Sequence, residues 1–273
     1  IIEVLDEKPD ITVKDNPVTT VKDSSITFRN VSFRYGGVES NKVLENVNLS
    51  ILPGETIGII GGTGSAKTTL VQLIPRLYDT TEGSVLVGGR DVRDYDLQTL
   101  RDSVAMVLQK NVLFSGTIRD NLKWGDKDAS EEEIIEACKA AQAHDFIMSF
   151  PNGYDTVLGQ GGVNVSGGQK QRLTIARALL KKPKIILLDD STSAVDTATD
   201  SKIRAALRTD LKGTTTLIIA QRIASVMDTD RIVVMDDGRI NAVGTHDELL
   251  KTNQIYREVY ESQQKGVEEH VGA

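Results

Sequence analysis

The sequence predicts an α/β fold in which a β-rich front portion precedes a parallel sheet, with a helical insertion at about residues 110–168. Apolar and polar residues alternate from Ile26 to Tyr35, which indicates a strand with one buried face. Later, short apolar runs such as Ile185-Ile186-Leu187-Leu188 alternate with helical patterns. Such runs are typical of parallel strands buried on both faces, so we expect a layered α/β domain.

The other elements follow in chain order from periodicity and turn residues. Residues 1–25, with Pro9 and Pro17, lack sustained periodicity and are expected to form a linker or surface arm. Further strands are predicted at residues 43–51, 55–60, 84–87, 103–107, 184–188, 215–220 and 231–235. A helical pattern covers residues 117–149 with Ser130 as an N-cap, and another helix is predicted from Gly168 to Leu180. The main domain is expected over residues 26–250, followed by a C-terminal helix and tail at 251–273.

Composition narrows the class of protein. The chain has 273 residues and a formal net charge of -7, which argues against a nucleic-acid groove because such grooves need clustered Lys and Arg. Its one cysteine, Cys138, can form neither an intrachain disulfide nor a thiolate metal cluster, so we expect a buried apolar role and a reducing compartment. No secretory signal opens the chain, and its apolar runs are too short to span a bilayer.

A glycine-rich run between a predicted strand and a helix predicts a cradle for nucleotide phosphates. Glycines let main-chain N–H groups turn toward phosphate oxygens, the helix N-terminus adds its positive end, the lysine reaches the outer phosphates and the next hydroxyl binds Mg²⁺. The run comprises Gly61, Gly62, Thr63, Gly64, Ser65, Ala66, Lys67, Thr68 and Thr69. Alternatively, it is a glycine-rich turn that binds nothing. Ala66 replaces a glycine of the strict pattern, and its methyl costs affinity only if φ there is positive or the phosphate approaches Cα.

Two further segments extend this prediction. Asp189 ends a buried strand, where a doubly wound sheet places its ligand, and it can hold Mg²⁺ opposite Thr68. Ser166-Gly167-Gly168-Gln169 opens a helix about 100 residues after the first cradle and forms a second anion-binding N-terminus. Two cradles so far apart suggest that they serve different triphosphates in a dimer.

From residue 26 to 250 the chain resembles the nucleotide-binding domain of an ATP-binding cassette (ABC) transporter of the multidrug-exporter type. The resemblance implies a phosphate-loop NTPase (RecA-like) core with an antiparallel β-subdomain and an inserted helical subdomain, binding ATP and Mg²⁺. It also implies roles for matching residues: Tyr35 stacks on adenine, Gln109 contacts Mg²⁺ and the attacking water, Asp189 holds Mg²⁺, and Ser166 to Gln169 form the signature that closes the partner's ATP site.

The same resemblance implies partners. The run from Asn111 to Ile118 matches the surface that contacts the coupling helices of a transmembrane domain, and Ser193 to Asp196 matches a loop that crosses a dimer interface with a second nucleotide-binding domain. Residues 1–9 resemble the connector from a last membrane helix. We therefore expect a piece of an exporter whose transmembrane half is absent, working at the cytoplasmic face of the membrane without nucleic acid.

Several of these residues have ordinary structural interpretations. Tyr35 could be a cross-strand packing aromatic, Gln109 a solvated polar residue, and Asp189 with Asp190 a turn cap. His246 is expected to be structural, near a helix N-cap. Residues 258–269 fit a solvated, fraying tail.

Two departures from the family pattern fall on the expected catalytic groups. Asp190 stands where the family usually carries a glutamate that polarises water, and its carboxylate is one methylene shorter. Gln221 stands at the switch histidine, and an amide cannot take the positive charge that imidazole can. The signature is intact. The pattern resembles the degenerate half of a heterodimeric exporter, whose partner brings the glutamate and histidine.

Other interpretations remain open. They are an engineered inactivation, a regulatory ATP-binding subunit without useful turnover, and a soluble cassette ATPase of DNA repair or translation. The acidic charge, the single cassette and the Phe114 loop argue against the last of these.

Overall fold

The computed structural model describes residues 9–36 and 40–271, with side-chain burial as far as Lys265. The strands are β1 Ile26–Phe33, β2 Leu44–Ile51, β3 Thr56–Gly61, β4 Glu82–Val87, β5 Arg90–Asp91, β6 Val104–Val107, β7 Gly116–Thr117, β8 Val157–Leu158, β9 Ile185–Asp189, β10 Thr215–Ile219, β11 Arg231–Asp236 and β12 Arg239–Gly244. The α-helices are α1 Lys67–Gln72, α2 Leu97–Ser103, α3 Ile118–Lys123, α4 Glu131–Ala140, α5 His144–Met148, α6 Gly167–Leu180, α7 Thr197–Asp210, α8 His246–Thr252 and α9 Gln254–Val271.

The β-rich front portion is an antiparallel sheet in the order β2-β1-β4-β5. Ile26 pairs with Ile51 and Phe28 with Leu49, and all four side chains are buried. The alternation from Ile26 to Arg29 therefore places one face against the core, as the sequence predicted. A shift in register follows Phe28, and after it Val31, Ser32 and Phe33 are all buried, so the alternation does not continue to the end of β1.

The main sheet has the order β12-β11-β3-β10-β9-β6, and every neighbouring pair from β11 to β6 is parallel. The predicted α/β fold class is confirmed, including its antiparallel subdomain. The edge strand β12 was not predicted. It pairs antiparallel with β11 through a turn at Asp237 and Gly238, where φ is 43° and 72°, as a two-residue hairpin turn requires.

The order of the sheet decides which loops meet. Strands β3, β10 and β9 are adjacent and parallel, and Ile219 of β10 is in register with both Ile59 of β3 and Asp189 of β9. The loops that follow these three strands therefore leave the same edge of the sheet, which is where ligands bind in open α/β sheets.

The helical stretch between β6 and α6 contains α3, α4 and α5. Ser130 caps α4 through a capping box with Glu133, which confirms that predicted helix start. Cys138 of α4 is fully buried, and burial raises the pKa of its thiol to about 12, in agreement with the predicted apolar role.

The ends of the chain differ partly from the expected arm and tail. Residues 1–8, which hold most of the predicted connector, lie outside the described residues. Val18 exchanges main-chain hydrogen bonds with Asp94 and Asp96, and Val21 is buried, so the later part of the expected arm packs on the domain. The expected tail continues as α9, and Tyr256 near its start is fully buried.

His246 has the structural role that the sequence indicated. Its Nδ1 lies 2.6 Å from the Tyr256 hydroxyl, and it is the first residue of α8 after the N-cap Thr245. Within residues 9–36 and 40–271, no helix is both long enough and apolar enough to cross a membrane.

Candidate active site

The glycine-rich loop from Gly61 to Ala66 joins β3 to α1. A side chain at Gly61 could not fit, because an added Cβ would lie 2.3 Å from the Met235 carbonyl oxygen. Gly64 has φ of 83°, a left-handed backbone that glycine adopts without steric cost. Gly62, Thr63 and Gly64 are exposed, so this part of the loop does not pack against the domain. The outer part of the loop is thus open to solvent.

Lys67 lies across this cradle. Its Nζ donates to the carbonyl oxygens of Gly61 and Gly62, both at 2.8 Å, and to Ser65 Oγ at 3.2 Å. Burial lowers the pKa of the ammonium, while the nearby carboxylates of Asp189 and Asp190 act against that shift. The cradle thus holds a half-buried ammonium group beside two carboxylates.

Ala66 settles the question that the sequence left open. Its φ is 68° and its ψ is 21°, so the backbone is left-handed and the methyl group is strained. A left-handed conformation costs a non-glycine residue about 1–2 kcal/mol. This cost comes from the backbone conformation at Ala66 and does not depend on a bound ligand.

We expect Ala66→Gly to bind Mg-ATP as tightly as the wild type or more tightly. The glycine removes the strain, and its entropic cost falls on the unfolded chain, which takes no part in binding. Calorimetric titration measures the affinity. Ala205→Gly, at an exposed site within α7, is the matched control and should lose stability without changing affinity. Weaker binding by Ala66→Gly would contradict this interpretation of the loop.

Thr68 and Asp189 form a pair of oxygen ligands beside the cradle. Thr68 Oγ1 lies 2.8 Å and 3.1 Å from the two carboxylate oxygens of Asp189. Burial raises the pKa of Asp189, and the Thr68 hydroxyl and Lys67 oppose that shift. Among the described residues, no three His, Cys, Asp or Glu side chains form a metal cluster. A cation bound by this pair would therefore need further oxygens from phosphate or water, which suits Mg²⁺.

Three side chains from three different loops meet at Asp190. Its Oδ2 accepts hydrogen bonds from Gln221 Nε2 at 2.9 Å and from Gln109 Nε2 at 3.2 Å. Asp190 follows β9, Gln221 follows β10 and Gln109 follows β6. Burial and the neighbouring Asp189 raise the pKa of Asp190, while the two amides and Arg222 lower it. Gln109 is exposed, as the structural interpretation expected, and it also donates one hydrogen bond within this cluster.

Tyr35 lies at the rim of the cradle. Its hydroxyl is 2.9 Å from Thr69 Oγ1, and its ring meets Phe33 and Tyr78 edge to face at centroid distances of 4.8 Å and 5.2 Å. The side chain is 53% exposed. The Tyr35 ring therefore packs against aromatic neighbours, while the residue also remains partly open to solvent.

The segment from Ser166 to Gln169 starts α6 and does not join this cluster. Gln169 N donates to Ser166 Oγ, and Ser166 N donates to Gln169 Oε1 at 2.8 Å, so both side chains serve a capping box. Gly168 lies against the Ala194 carbonyl, 2.8 Å from where a Cβ would stand. Gly167 and Gly168 thus bring α6 close to the loop at residues 193–196.

Two residues that were not predicted from the sequence connect this loop to its surroundings. Gln171, which is buried, accepts from Ala194 N at 3.0 Å and donates to Ser193 Oγ at 3.3 Å. Arg222 donates to the carbonyl oxygens of Thr192 and Val195. A glutamine on the apolar face of a helix was the available signal for Gln171, whereas nothing in the sequence marked Arg222.

The predicted docking loop, residues 111–118, carries exposed aromatic surface. Phe114 is 42% exposed and stacks on Trp124, which is 68% exposed, at a centroid distance of 4.7 Å. Asn121 holds the loop through both main-chain groups of Phe114. Trp124 was not predicted as part of this surface.

Comparison with known proteins gives consistent matches. The family model described as ABC transporter matches residues 44–193. The ATP-dependent lipid A-core flippase of Syntrophus aciditrophicus is 44% identical over 273 residues, covering 100% of this chain and 45% of that protein. The putative multidrug export ATP-binding/permease protein YgaD of Bacillus subtilis is 48% identical over 235 residues, 86% of this chain and 40% of that protein.

A solved structure is also similar. A bacterial Atm1-family ABC exporter with ATP bound aligns with a TM-score of 0.92 and 36% identity, over 96% of this chain and 46% of that chain. The chain spans about half the length of the curated relatives it matches.

Proposed function

Because this chain belongs to the ABC transporter family, whose ATP-binding domains are ATPases, we propose that it is the motor domain of a membrane exporter with a weakened catalytic site of its own. The observation that carries the proposal is the convergence of Gln109 and Gln221 on Asp190, beside a cradle occupied by Lys67.

The cradle is suited to bind the phosphates of ATP. Lys67 can turn from the two loop carbonyls to phosphate oxygens, which form stronger, charge-assisted hydrogen bonds with an ammonium group. Thr68 and Asp189 would hold Mg²⁺, which supplies positive charge that offsets the negative charge of the phosphates. The accessible ring of Tyr35 would stack on the adenine.

The catalytic weakness follows from the groups that meet at Asp190. The carboxylate is the only base of the three side chains, and it is one methylene shorter than the glutamate usual in the family pattern, so it reaches less far toward an attacking water. Gln221 can donate a hydrogen bond to a phosphate but cannot become positively charged. The site should therefore hold ATP well and hydrolyse it slowly.

The proposed partner is inferred from the segment that begins α6, which does not contact the cluster at Asp190. Ser166 to Gln169 keeps an intact helix start, and we infer that it faces the ATP held by a second, non-identical nucleotide-binding domain that carries the glutamate and histidine. The exposed pair of Phe114 and Trp124 would contact the coupling helices of a transmembrane domain at the cytoplasmic face. The names of the relatives, for multidrug export and lipid A-core flipping, support an exporter.

ATP-driven association tests this proposal. Without nucleotide the chain should sediment as a monomer, and Mg-ATP should promote association because nucleotide bound between two chains stabilises the closed form. Ser166→Ala should weaken this association. Ser130→Ala is the matched control, since it removes the same kind of capping box from α4, far from the signature in sequence. A tight dimer without nucleotide, or equal effects of the two variants, would contradict the proposal.

A further inference from the structure

The C-terminal helix α9 is fixed to the domain at its start. Asn253 Oδ1 accepts from Tyr256 N at 2.8 Å, which caps the helix, and Asn253 Nδ2 donates to Asn241 Oδ1 at 2.7 Å on β12. Tyr256 is fully buried and its hydroxyl contacts His246. The direction of α9 across the domain is therefore set by its first turn.

One face of α9 continues toward the candidate active site. Tyr256, Val259, Tyr260 and Gln263 recur at helical spacing, so they share one side of the helix. Val259 and Tyr260 are partly buried against the hydrophobic core. Gln263 is next on this face and is partly buried, whereas its neighbour Gln264 is exposed.

The Gln263 side chain makes two hydrogen bonds to the main chain of the segment that carries Gln221. Its Oε1 accepts from Ile223 N at 2.9 Å, and its Nε2 donates to the Gln221 carbonyl oxygen at 2.8 Å. The two main-chain groups flank Arg222. The N–H of Ile223 opens a short 3₁₀ helix, Ile223–Ser225, whose N-cap residue Arg222 makes no side-chain cap. An amide from a distant helix supplies that cap instead.

We propose that Gln263 is a positioning residue for ATP hydrolysis, which fixes the main chain on both sides of Arg222 and so aims the Gln221 amide at Asp190. Its catalytic consequence rests on the function proposed above. The Gln221 amide reaches Asp190 from an exposed loop, and an exposed side chain holds one direction only when its main chain is held. The C-terminal helix α9 and the loop that carries Gln221 would then be ordered together.

The two hydrogen bonds that Gln263 makes to this main chain suit an amide side chain. A glutamine offers a donor and an acceptor on one rigid group, which match one carbonyl and one N–H. Gln263→Glu keeps the acceptor for Ile223 but turns a second oxygen toward the Gln221 carbonyl. Gln263→Leu removes both bonds at similar volume. Gln264→Leu is the matched control, because it makes the same change one position along, at an exposed site.

The experiment uses the full 273-residue chain with three readouts. They are hydrogen exchange at the Ile223 amide, the NMR signal of the Gln221 side-chain amide assigned by its loss in Gln221→Ala, and steady-state phosphate release. For Gln263→Leu we expect Ile223 to exchange roughly 5- to 10-fold faster, as loss of one main-chain hydrogen bond implies. The Gln221 signal should move to the position of a solvated amide. The kcat should fall several-fold at unchanged KM, Gln263→Glu should be intermediate, and Gln264→Leu should match the wild type.

A double-variant comparison separates positioning from general destabilisation. In the Gln221→Ala background, Gln263→Leu should lower kcat no further, because there is no amide left to aim. Unchanged exchange at Ile223, an unmoved Gln221 signal, or an equal fall in kcat in both backgrounds would overturn the proposal. If the wild type neither binds nor hydrolyses Mg-ATP, the proposed function fails instead, and the exchange and NMR readouts still decide whether Gln263 positions Gln221.

Discussion

The double variant Asp190→Glu, Gln221→His is expected to release phosphate from saturating Mg-ATP at least about 100-fold faster than the wild type. The longer glutamate carries the carboxylate toward the attacking water, and a well-placed general base contributes roughly 100- to 10,000-fold. A histidine can carry positive charge as negative charge accumulates on the transferring phosphoryl group. Because both groups act on one reacting centre, the double variant should exceed the product of the two single variants.

The backbone of Asp190 supplies a control for this experiment. Its φ is 47°, a left-handed conformation that aspartate tolerates better than glutamate, so Asp190→Glu should cost some stability. Asp237 has φ of 43° in the exposed β11–β12 turn, and Asp237→Glu imposes a similar strain away from the site. That variant should lose comparable stability without changing phosphate release. If the repaired double variant still binds ATP but gains no turnover, then Asp190 and Gln221 are not the weak points.

Lys67→Ala is expected to lower the affinity for Mg-ATP by about 10- to 150-fold, since a charge-assisted hydrogen bond is worth about 1.5–3 kcal/mol. The substitution also removes the ammonium that holds the carbonyls of Gly61 and Gly62, so the cradle itself should loosen. Calorimetric titration gives the affinity, and a melting curve verifies that the variant is folded.

Lys139→Ala is the control for Lys67→Ala, because Lys139 is an exposed lysine on α4. Like Lys67→Ala, it removes one positive charge from the chain, and it should leave the affinity for Mg-ATP unchanged. Equal affinities for Lys67→Ala and the wild type would rule out this loop as the phosphate cradle.

Much of the fold could be predicted because the elements that carry it have strong local signals. The buried runs of β9 and β10, the alternation of β1 and the Ser130 cap of α4 each lie within a short window of sequence. The strand β12 was missed although Asp237-Gly238 is a strong hairpin signal, because its burial is partial and its apolar pattern is weak. The packing of Val21 depends on contacts with distant residues that no local pattern contains.

For the candidate site too, some features could be predicted from the sequence and others could not. The cradle residues from Gly61 to Thr69 are contiguous, so their grouping could be predicted from the sequence. The left-handed φ of Ala66 could not, since sequence left both signs of φ open. The meeting of Gln109, Asp190 and Gln221 depends on strand order, which brings together loops that are far apart in the chain. Gln263 is further still from the motifs, on a helix whose direction is set by tertiary contacts.

The central claim is that this chain holds ATP at a site that hydrolyses it slowly. The most direct test is a single-turnover measurement with the wild-type chain in excess over labelled Mg-ATP, in which bound and hydrolysed nucleotide are followed in the same sample. We expect binding to be complete while almost all of the bound nucleotide is still ATP, and we expect the Asp190→Glu, Gln221→His variant to convert it at least about 100-fold faster. Equal conversion rates for the wild type and the double variant, with both fully bound, would rule out a catalytic site weakened at Asp190 and Gln221.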